Sequence, residues 1–128
     1  MPTRACAPAN SSESAPDMER LCFTFDLFPG TESEYDRLHA AIWPELAEAI
    51  ADVGYRNYSL FRRGPHVICI CECHPDVATV TGLMAERHQA LTDRWNVVME
   101  PFIERMTDDD GKLVDYPLCW HLPEEDHL

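Results

Sequence analysis

The 128-residue chain carries 23 acidic against 10 Lys and Arg residues, a formal net charge of −13. That balance argues against nucleic acid or anionic membrane as a partner, because both reward Lys and Arg, and it favours a neutral ligand. The length suits one domain, small enough that pairing with a second copy would help it.

Residues 1–18 mix Pro, Ala and Ser with almost no large apolar side chains, so they read as a flexible tail. The same stretch has no apolar core of the kind a secretory leader needs, and no apolar run nears the roughly 20 residues that cross a bilayer. The expectation is therefore a cytoplasmic protein. Its six cysteines would then be reduced rather than form a disulfide frame.

Residues 21–27 alternate Leu21, Phe23, Phe25 and Leu27 with Cys22, Thr24 and Asp26, the period of a half-buried strand. A turn at Phe28-Pro29-Gly30 leads into 31–53, which reads as one amphipathic helix. Thr31 and Glu34 have capping-box spacing, and Leu38, Ile42, Leu46, Ala49 and Val53 share a stripe. Gly54 closes it as a left-handed C′ residue. Tyr35, His39 and Trp43 form a second row at the margin of that stripe, where a histidine is either an ordinary boundary residue or a proton-transfer group between two aromatic walls. Pro44 inside this helix would delete a donor and leave the Ala40 carbonyl unpartnered, at a cost of about 3 kcal/mol.

Residues 55–61 and 66–73 read as a hairpin around Arg62-Arg63-Gly64-Pro65. Residues 75–84 read as a helix, and 89–106 as a longer helical segment interrupted or ended near Pro101. The acidic run 108–111 reads as a solvated loop, 113–122 as a last strand, and 124–128 as a charged tail. The order β-α-β-β-α-β over residues 19–123 predicts an α+β, ferredoxin-like antiparallel sheet with helices on one face. The uncovered face predicts a homodimer.

Cys69, Cys71 and Cys73 share one face of a strand beside His74, which invites a metal reading. Alternate strand residues converge poorly on one ion, and buried small apolar cysteines are the simpler account. His66, His74, His88, His121 and His127 fall in no repeated ligand spacing.

The run EYDRLHAAIWPEL at 34–46, with Gly54 and RNYSLF at 56–61, resembles the L-rhamnose mutarotase family of sugar 1-epimerases. Arg94-Trp95 and the terminal LCWHLP at 118–123 fit the same pattern, so the resemblance spans about residues 20–123. It implies a dimeric, cofactor-free and metal-free enzyme acting on a monosaccharide, L-rhamnose or a related 6-deoxy sugar. His39 would be the proton donor, and Tyr35 and Tyr58 substrate-binding tyrosines. The family has two adjacent tryptophans where this chain has Trp95 and Asn96, so Asn96 offers an amide where an indole would lie and leaves the identity of the sugar open. Two other functions fit the same features: a non-catalytic sugar or metabolite-binding module, and a ferredoxin-like cyclase or monooxygenase with an aromatic substrate.

Overall fold

The structure is a computed structural model that describes residues 18–123. All but Met18 of the expected N-terminal tail, and the expected charged tail at 124–128, lie outside the described residues. The elements in chain order are β1 (Glu19–Leu27), α1 (Glu32–Ala40), α2 (Pro44–Val53), β2 (Tyr55–Arg63), β3 (His66–Cys73), α3 (Val77–Met99), β4 (Ile103–Arg105) and β5 (Val114–Asp115). The sheet runs β2-β3-β1-β4, with β5 also on β1, and the pairings are antiparallel. This is the expected ferredoxin-like plan.

The expected helix over 31–53 is two helices. Proline disfavours a helical residue before it and has no N–H to give, so Trp43 is extended (φ −58°, ψ 128°) and Pro44 becomes the first residue of α2. The capping box does not form either. Thr31 makes no side-chain cap, its hydroxyl donates to the Phe28 carbonyl, and Glu34 pairs with Arg37. The two helical segments expected over 75–84 and 89–106 are one helix, α3, bent at His88; it ends at Met99, near Pro101 as expected, and residues 103–105 pair with β1. Of the strand expected over 113–122, only Val114–Asp115 forms. The Tyr116 amide still donates to the Cys22 carbonyl, but Pro117 supplies no donor to extend the ladder.

One face of the sheet holds the core. Phe23, Phe25 and Leu27 of β1 and Val67, Cys69, Cys71 and Cys73 of β3 are buried beneath Leu46, Ala49 and Val53 of α2 and Val80 and Met99 of α3. The three cysteines are fully buried free thiols in register with Phe23, Leu21 and Glu19, so they act as small core residues. On the opposite face, Phe61 and Ile70 stand 57% and 44% exposed.

Gly54 joins α2 to β2 at φ 118°, its amide donating to Ala51 and its carbonyl accepting from the His74 amide at 2.9 Å. A Cβ there would meet the His74 carbonyl oxygen at 2.1 Å. Gly54→Ala should therefore destabilise the protein by at least about 3 kcal/mol, read as a lowered urea midpoint with the m-value unchanged.

Candidate functional site

Between the inner sheet face and the helices lies a cavity of about 600 Å³. Its walls are largely apolar, with Phe23, Phe25, Ile42, Leu46, Ile50, Leu60, Met84, Trp95, Met99 and Ile103 among them. The polar groups that reach it are Tyr35, His39, Tyr55, Tyr58, Thr92 and Asn96. Among the described lining residues none is Asp, Glu, Lys or Arg. All five residues singled out from the sequence, Tyr35, His39, Tyr58, Trp95 and Asn96, therefore meet in one place.

His39 lies in the last turn of α1, immediately before the break that Pro44 imposes. Its Nδ1 stands 3.0 Å from the Tyr35 carbonyl oxygen, four residues back. A carbonyl only accepts, so Nδ1 carries the hydrogen, and in the neutral ring Nε2 keeps the lone pair. The ring packs on Tyr35 at 4.2 Å between centroids and meets the Trp95 edge at 5.4 Å. The second aromatic wall is thus Trp95 rather than the expected Trp43. Trp43 instead backs Trp95 at 5.1 Å, with the Arg94 guanidinium over its ring.

Tyr35 is 4% exposed, and no buried polar side-chain atom among the described residues lacks a partner. Its hydroxyl makes no hydrogen bond among the described residues and is therefore accessible, and Tyr35 lines the cavity. Burial raises its pKa above the usual phenol range, and the Cys69 thiol adds to this. Burial also pushes Tyr55 up to about 12; Tyr58 is 41% exposed as a whole residue, but local desolvation and the Cys69 thiol still raise its phenol. These phenols stay protonated across the working range, as hydrogen-bond donors.

Tyr55 and Tyr58 are three residues apart, so a regular strand would point them to opposite faces. The β2–β3 register slips between Arg56 and Ser59, where Asn57 takes φ 52°. Asparagine tolerates this left-handed geometry better than most residues. The resulting bulge turns both tyrosines inward, their rings 5.3 Å apart. Below them, a hydrogen bond from the Cys71 thiol holds Cys69 below the ordinary thiol range, whereas that bond and burial raise Cys71.

From α3, Thr92, Trp95, Asn96 and Met99 line the cavity at helical spacing. The helix is bent at His88 (φ −133°, ψ 28°), and the bend is tied to α2. Asp52 accepts from His88 Nε2 at 3.0 Å and from Arg87 at 3.2 Å, and Thr92 Oγ1 donates to the His88 carbonyl. At the other side, Arg62 of β2 grips Asp36 of α1 through two hydrogen bonds of 2.9 and 2.6 Å.

A family model for L-rhamnose mutarotase matches residues 20–122. The chain belongs to the L-rhamnose mutarotase family. It is 46% identical over 110 residues to an L-rhamnose mutarotase of Acidiphilium cryptum, covering 83% of this chain and all of that one. With an L-rhamnose mutarotase of Phocaeicola vulgatus it shares 27% identity over 106 residues, 82% of this chain and 99% of the other. The crystal structure of an L-rhamnose mutarotase from Formosa agariphila has the same fold, with a TM-score of 0.59 at 23% identity over 82% of this chain and 97% of that one.

Within this mutarotase-family cavity, sequence reading missed Tyr55, Thr92, Met84, Met99 and Ile103. The spacing of Thr92, Asn96 and Met99 around Trp95 could have shown that face. Nothing local announces Tyr55, because only the bulge brings it in. Ile103 lies beyond Pro101, where the helical reading is interrupted or ended, and only its pairing with β1 places it.

The clamp on Asp52 has a pH signature. Hydrogen bonds from His88 and Arg87 hold its carboxyl below the ordinary range. A depressed acid contributes stability above its unfolded pKa and loses it as pH falls through the lower folded value. The gap in Tm between the unaltered protein and Asp52→Asn should therefore be full at neutral pH and shrink between about pH 5 and about pH 3, as thermal melts across that range would show.

Proposed function

We infer that this chain is an L-rhamnose mutarotase that interconverts the α and β anomers of the free sugar in this cavity. The observation that carries the reading beyond family membership is the state of His39: one nitrogen tethered to a carbonyl, the other free to take up a proton, in a hollow whose described lining holds no carboxylate.

With no second acid or base of ordinary strength at hand, a single imidazole serves both halves of the reaction. Nε2 takes the proton of the anomeric hydroxyl. The O1 electrons form the C1–O1 double bond, and the C1–O5 pair moves to the ring oxygen. The imidazolium then gives the same proton to O5. Rotation about C1–C2 in the open aldehyde presents the other face of the carbonyl, and the steps reverse, with no net proton consumed. A positioned group of this kind is worth about 10²- to 10⁴-fold. Tyr35 and Tyr58 donate to sugar hydroxyls, and Trp95 packs against the C–H face. The free thiols of Cys22, Cys69, Cys71 and Cys73 suit a reducing cytoplasm. No helix among the described residues is long and apolar enough to cross a membrane.

Exchange NMR on equilibrated L-rhamnose should show faster anomer interconversion with protein. His39→Ala should lower that rate by about 10²-fold or more with the circular dichroism unchanged. Rapid exchange by the alanine variant removes the mechanism, and tight sugar binding without acceleration selects a binding module. Because the cavity phenols keep their protons, kcat/KM should show no alkaline limb up to about pH 10. A bell-shaped profile would reveal a second titrating partner.

The homodimer belongs to the same reading. Phe61 and Ile70 on the outer sheet face, with Trp120 and Leu122 of the C-terminal segment 70% and 48% exposed, offer apolar surface of the kind that two copies bury against each other. Sedimentation should give a dimer at micromolar concentration and a folded monomer for Ile70→Asp. A monomeric unaltered protein would dismiss the pairing.

A further inference from the structure

The polar groups of the cavity differ in how far the protein has already committed them. His39 Nδ1 is held by the Tyr35 carbonyl, and the Thr92 hydroxyl gives its hydrogen to the His88 carbonyl. The Asn96 carboxamide lines the cavity with no intramolecular hydrogen bond among the described residues. It is exposed, so its two N–H groups and its oxygen are open to solvent or to a ligand. Thr92 lies four residues before it on the same face of α3, about 6 Å along the axis, and its oxygen still has acceptor capacity.

Asn96 lines the same cavity as His39 and as Trp95, whose ring touches that of His39, so the carboxamide is within the hollow that the imidazole reaches. In a pyranose held with O1 and O5 at Nε2, the ring carbon next to O5 carries the exocyclic C6 group. A methyl group laid against the amide strips its water and returns nothing, whereas a hydroxymethyl group replaces the water with a hydrogen bond.

We infer that Asn96 is a specificity-determining residue that extends the substrate range from 6-deoxy sugars to pyranoses carrying a hydroxymethyl group on C5. This inference rests on the mutarotase reading of the cavity. The Asn96 amide and the Thr92 oxygen together receive the C6 hydroxyl, one as donor and one as acceptor.

The test compares L-rhamnose with L-mannose, which differs from it only by a hydroxyl on C6. Exchange NMR on the full chain should show both accelerated, with kcat/KM values within about tenfold of one another. Asn96→Leu should lower the ratio of L-mannose to L-rhamnose activity by about fivefold, the worth of one ordinary hydrogen bond. Asn96→Gln, which keeps the amide, should recover most of that ratio. The ratio within each variant cancels any general loss of activity. No acceleration of L-mannose, or a ratio that the leucine leaves unmoved, overturns the inference while leaving L-rhamnose mutarotation standing. Failure to accelerate either sugar overturns the mutarotase reading and this inference with it.

Discussion

Pro44 has no amide hydrogen, and the site is arranged around that one missing donor. Because Pro44 cannot continue α1, the chain turns through Ala41, Ile42 and Trp43 and starts again as α2. The turn puts His39 in the last turn of a helix rather than its middle, with its ring lying over Tyr35 and facing Trp95 across the hollow. A continuous helix would carry Tyr35, His39 and Trp43 along one row. The break instead sends Trp43 behind Trp95 as a support. A residue unfavourable inside a helix, by about 3 kcal/mol, becomes favourable at the first position of the next one.

Beneath the imidazole, the sheet supplies what a helix cannot. The bulge at Asn57 brings two phenols to one face from positions that a regular strand would separate. The small buried thiols of β3 pack below them without filling the space a sugar needs. The ion pairs stay at the edges, Arg62 with Asp36 on one side and Arg87 and His88 with Asp52 on the other. They fasten elements together and keep formal charge out of the lining, so a neutral polyol meets only neutral donors and acceptors and one imidazole.

The fold was readable where residue period alone decides the structure. The alternation of β1, the hairpin of β2 and β3, and the left-handed glycine at 54 all stand as expected. The site was readable because the motif around His39 and the aromatic at Trp95 mark it locally. What the sequence hid depends on competition between alternative partners. Thr31 and Glu34 have capping spacing, yet the Phe28 carbonyl takes the Thr31 hydroxyl and Arg37 takes the Glu34 carboxylate. Residues 103–105 look helical until the free edge of β1 offers them a ladder. Tyr55 becomes a lining residue only through a register slip that no local pattern displays.

The bend at His88 divides α3 into two pieces with different duties. Val80, in the first piece, is fully enclosed in the core, while Thr92, Trp95 and Asn96, in the second, face the hollow. The lining residues Thr92 and Asn96 are thus carried on a segment that Met99 anchors in the core, so they can change while the buried anchors stay. A scaffold divided in this way can acquire new tastes by drift along one helical face, without relearning how to fold.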